Sequence, residues 1–86
     1  MNTFHLIRAV VEAIVFLDTS GEEVVDPDSA VSQLESIATI LKELSVDERK
    51  DFLRSVRDIA ENEERMRGRT PRIEAILSLG KNLGLE

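Results

Sequence analysis

Apolar residues recur along the chain at intervals of three and four, in four segments separated by polar breaks. The first segment, TFHLIRAVVEAIVFL, is almost wholly apolar, and its polar members His5, Arg8 and Glu12 stand three and four apart. In a helix they form one narrow stripe, along which Arg8 and Glu12 are spaced to pair. Ala9, Glu12 and Ala13 favour a helix over the strand that the β-branched residues would also permit. The pattern predicts helix over residues 2–17.

In the second segment Ala30, Val31, Leu34, Ile37, Ala38, Leu41 and Leu44 keep the same spacing, predicting an amphipathic helix over residues 27–44. Asp26 is placed to cap it, Pro27 suits its first position, and Asp28 meets the positive end of the helix dipole. The third segment opens on Ser45-Val-Asp-Glu48, a capping box, and buries Phe52, Leu53, Val56, Ile59 and Ala60. Leu44 precedes this cap, and the aliphatic stem of Arg49 is its nearest staple partner. Glu61/Arg65 and Glu63/Arg67 are acid-first pairs four apart, which extends the helix over residues 46–66 before Gly68 ends it. Thr70-Pro71 starts a fourth helix, predicted over residues 71–79 with Gly80 as its stop. Residues 81–86 show too little periodicity to be assigned, and the closing Leu85-Glu86 receives no structural role.

These elements make one all-α domain spanning residues 1–86, a small three- or four-helix bundle with antiparallel neighbours. A chain of 86 residues removes only about 60–65% of its extended surface on folding. A first helix with so little polar circumference must be central to its bundle or covered by another chain. The later helices are few, which predicts completion by a homodimer through Phe4, Leu6, Val10, Val11, Ile14 and Leu17. The alternative is that the three later helices cover it alone. The segment is interrupted by charge and falls short of the roughly 20 apolar residues of a membrane span, and no cleavage pattern follows it. The expectation is a cytoplasmic protein with no membrane contact.

Composition narrows the chemistry. The chain has no cysteine and one histidine, which removes disulfides, thiolate metal sites and thiol nucleophiles. Setting Gly21 at the sixth position of a calcium loop puts Phe16 at the first ligand position, so the acidic turn after Asp18 does not fit that site. No HExxH, GxSxG or glycine-rich phosphate loop is present. The paired Glu-x-x-His spacing of di-metal bundles is also absent. Adjacent acids such as Asp47/Glu48 and Glu63/Glu64 point in different directions from a helix. The sequence reads as a non-enzyme with no cofactor and no metal.

Charge changes the picture more. Seventeen acids oppose eleven bases, a net of -6, which argues against nucleic-acid binding by the fold as a whole. The imbalance is concentrated: residues 1–48 carry ten acids against Arg8 and Lys42, whereas residues 49–86 carry seven acids against nine bases. Packing either cancels the halves against each other or displays them separately. The leading expectation is an interaction module whose acidic half, through Glu22, Glu23, Asp26, Asp28, Glu35 and Asp47, binds a basic protein. Toxin-neutralising immunity proteins share that physical logic, in which charge complementarity supplies fast and selective encounter. A homo-oligomeric scaffold is the alternative. A third reading assigns nucleic-acid contact to Arg65, Arg67, Arg69 and Arg72, the one dense basic group. It lacks Tyr or Trp to stack a base, and a helix-turn-helix around residues 41–52 would present Asp47-Glu48 to phosphate.

Overall fold

The computed structural model describes residues 3–86; the predicted helical start at Asn2 lies outside the described residues. Among them are four helices and no strand: α1 (Thr3–Thr19), α2 (Pro27–Leu41), α3 (Val46–Arg67) and α4 (Pro71–Asn82). Their starts follow from local chemistry. The Asp26 carboxylate accepts from the backbone N–H of Ser29 at 3.0 Å ahead of Pro27. At α3, Ser45 Oγ accepts from the N–H of Glu48 at 3.1 Å while Glu48 Oε1 accepts from the N–H of Ser45 at 2.8 Å, completing the capping box. Thr70 Oγ1 accepts from the N–H of Ile73 at 3.2 Å. These bonds satisfy backbone donors that have no partner inside the helix.

The ends of α2 and α4 differ most from the pattern. α2 closes at Leu41, three residues early, because the chain tightens into turns in which Glu43 and Leu44 donate to Ile40 and Leu41. This draws Leu44 toward the core, where it packs half-buried. The guanidinium of Arg49 donates to the Lys42 carbonyl at 2.9 Å. α4 does not stop at Gly80 but runs through it to Asn82. Its terminator is Gly84, whose φ of 71° is the left-handed conformation glycine adopts freely. Gly84 N–H donates to Lys81 and Leu85 N–H to Gly80, the paired bonds of a Schellman cap. Leu83 and Leu85 are thereby buried at 8% and 3% exposure, so the tail that showed no pattern is part of the core.

α1 packs against each of the other three helices, α4 packs on α3 as well, and α2 has no substantial contact except α1. The core gathers Val11, Ile14 and Val15 from α1, Ala38 from α2, Phe52, Val56 and Ala60 from α3, and Ile73, Ile76 and Leu79 from α4. Each large side chain so buried contributes roughly 1.5–3 kcal/mol. Gly80 serves closeness here: a Cβ at this position would lie 2.7 Å from Leu53 Cδ2, so a larger residue would require the Leu53 side chain to move.

Candidate functional site

The arginines of the second half are largely engaged at home. Arg72 donates through Nε to both Glu63 oxygens at 3.1 and 3.0 Å and through a terminal nitrogen to Glu12 of α1. These bonds, the one to Glu12 foremost, hold its guanidinium above its already high ordinary pKa. Arg69 pairs with Glu64 at 3.0 Å and with Glu74 at 3.5 Å, and Arg65 donates to the Asn62 side chain at 3.3 Å. Three of the four residues in the basic group thus bind neighbours. Arg67 has no such bond; it lines a groove between α1 and α3 together with Arg8, Phe4, Ile59 and Met66. Arg8 is not held by Glu12, which reaches Arg72 sixty positions away instead. No local spacing signals that exchange.

The acidic half has no comparable internal partners. Ion pairs among the described residues use Glu12, Asp51, Glu63, Glu64 and Glu74. Glu22, Glu23, Asp28, Glu35 and Asp47 are exposed and have none, and Asp26 accepts from Ser29 as a helix cap. The two halves are therefore displayed, with Glu12 as the single acid that crosses between them. The six carboxylates do not form one patch. Glu22, Glu23, Asp26 and Asp28 cluster at the α1–α2 loop and the start of α2, Glu35 lies two turns on, and Asp47 follows the far end of α2. The span of α2 separates Asp47 from the loop cluster by on the order of 20 Å.

The apolar residues of α1 divide by face. Val11 and Ile14, at 1% and 4% exposure, are turned into the chain's own core. Val10 and Leu17 are half-buried, and Phe4 and Leu6 remain exposed. The outward stripe is Leu6, Ala9, Ala13 and Phe16, all exposed and spaced three, four and three apart. Pattern reading did not separate this stripe from the inward one, since both are apolar.

No family model, curated protein or solved structure matches this chain. None of the described polar or charged residues is fully buried. Among the described residues no cluster of His, Asp or Glu is arranged to hold a metal ion, and no helix is long and apolar enough to cross a membrane. What the chain does offer is surface. Its accessible area is 5969 Å² for 9.7 kDa, against about 5,100 Å² expected for a folded monomer of that mass.

Proposed function

We propose that this protein is an interaction module that binds a basic protein partner through its acidic half. One observation carries the reading: residues 9–41 contain seven acids and no Lys or Arg, and the fold brings a cation to Glu12 alone among them. Uncompensated carboxylates spread over the α1–α2 loop and along α2 repel one another and gain when a cationic surface docks. The complex would neutralise or regulate that partner without chemistry of its own, in the cytoplasm. The test is capture from cell extract by wild-type protein and by a variant carrying Glu22→Lys, Glu23→Lys, Asp28→Lys and Glu35→Lys, at low and high salt. A cationic protein held by wild type at low salt, released as salt rises and absent from the variant is the expected result. Identical sets on both baits would overturn the reading.

A second reading, a homodimer, is favoured by the outward stripe of α1. Leu6 and Phe16 flank Ala9 and Ala13, which allow a second helix to approach closely, at the spacing of a two-helix seam. The dimer would bring two acidic loops into one assembly. Light scattering across a concentration series checks it: a mass of two chains that falls to one on Leu6→Glu with Phe16→Glu is expected, and a monomer throughout removes it.

A further inference from the structure

α2 rests on α1 but stands away from α4, and the space between is a groove of about 630 Å³ that meets a smaller apolar recess of about 170 Å³. Val31, Leu34, Ala38 and Leu83 make its apolar surface. Together the groove and its recess have the volume of a site that accepts several side chains. Its ends differ in charge. Asp18 lines the recess, Glu35 lines the groove four residues beyond Val31 and seven before Lys42, Asp28 lies one turn before Val31 outside the lining, and Lys42 and Lys81 stand at the other end. The Lys42 ammonium lies over Gly84, 3.4 Å from where a Cβ would sit. None of these five charges has an ion-pair partner among the described residues.

An apolar trough with opposite charges at its two ends is complementary to a helix of matching polarity. A helix carries partial positive charge at its N-terminus and negative charge at its C-terminus, and lays residues at three- and four-residue spacing into such a trough. We propose that the α2–α4 groove receives an amphipathic helix of the basic partner, with the cationic N-terminal half beside Asp18, Asp28 and Glu35 and the C-terminal end beside Lys42 and Lys81. This rests on the reading of the chain as a binder of a basic protein, and adds which element of that partner is held and in which direction.

The experiment uses two helical peptides of roughly 15 residues, the length of α2 at about 1.5 Å per residue. Both carry leucines at helical spacing and more arginines than glutamates. One has arginines in its N-terminal half and glutamates in its C-terminal half; the other has the same composition in reversed order. Calorimetry should show the first binding at least about tenfold more tightly than the second, since only one order matches the groove. Val31→Asp, at a position 54% exposed, adds an acid to the acidic end while removing apolar surface. It should weaken the first peptide about tenfold, where attraction by charge alone would strengthen it. The double variant Glu35→Lys with Lys81→Glu should reverse the preference between peptides. Circular dichroism confirms that each variant keeps its helix content. Equal affinity for both peptides, with Val31→Asp binding more tightly, would overturn the groove while leaving the acidic binder intact. Absence of binding by either peptide would also overturn the groove, and the capture experiment would then judge the acidic reading separately.

Discussion

α4 and α2 are both short amphipathic helices that pack on α1, yet they are built into the molecule to different depths. α4 contributes Ile73, Ile76 and Leu79 at 0–2% exposure and is followed by a capped tail that buries two more leucines. α2 buries only Ala30 and Ala38, while Val31 and Ile40 are 54% and 64% exposed. The second contact of α4, on α3, is what separates them: a helix held on two sides encloses large side chains, and a helix held on one side leaves its flanks open. Those open flanks include the proposed groove, so the weaker packing and the candidate binding surface belong to the same element.

Truncation should show this difference most strongly. Ile76→Ala is expected to cost about 3–4 kcal/mol, whereas Leu34→Ala, at a half-buried position of α2, should cost about 1 kcal/mol. Urea denaturation of both variants measures the gap, and equal losses would erase the distinction. Gly84→Ala is the next largest change. Forcing an L residue into φ of 71° should cost about 1–2 kcal/mol and release Leu85, visible as lost protection of the Leu85 amide in hydrogen exchange. The caps come next: Ser45→Ala and Asp26→Ala should each cost about 1 kcal/mol, the first at the well-packed α3 and the second at α2. A smaller effect appears with pH. Backbone and hydroxyl bonds from Ser45, the backbone bond first, hold the Glu48 carboxyl below its ordinary 4.5. Its stabilisation is therefore present above pH 4.5 and is lost as pH falls through the lowered value. Glu48→Gln should flatten that part of the stability curve, measured by thermal melts between neutral and acid pH.

The helix starts were legible because each is written in two or three adjacent residues: Asp26-Pro27, Ser45 with Glu48, Thr70-Pro71. The end of α4 was harder. Gly80 reads as a stop when glycine is weighed by propensity alone, but Ile73, Ile76, Gly80 and Leu83 continue one stripe at intervals of three, four and three. The glycine is the small member of that stripe, where α4 crosses Leu53, and the true stop is written as Leu83-Gly84-Leu85. α1 shows a different limit. Its pattern gave a helix, and its observed range exceeds the expected end by two residues, with Thr19 donating to the Val15 carbonyl at 2.7 Å. Which apolar residues face inward was not legible, since Val11 and Ala13 look equally suited to a core until three other helices choose a side. The fate of the arginines was likewise tertiary. Arg72 meets Glu12 only because α4 and α1 pack together.

The three-residue link between α3 and α4, Gly68 to Thr70, also sets an order of events. Contacts between these two helices are close in sequence and require little loop closure, whereas α1 must find α4 across more than fifty residues, at a higher entropic cost. The α3–α4 hairpin is thus an element able to form early and present a surface on which α1 condenses, while α2, close to α1 in sequence but burying only Ala30 and Ala38, adds least to that step. Kinetically, truncation of Ile76 should slow refolding, and truncation of Leu34 should leave refolding nearly unchanged and hasten unfolding. The helix with the shallowest burial is also the one freest to move aside without the rest of the molecule coming apart.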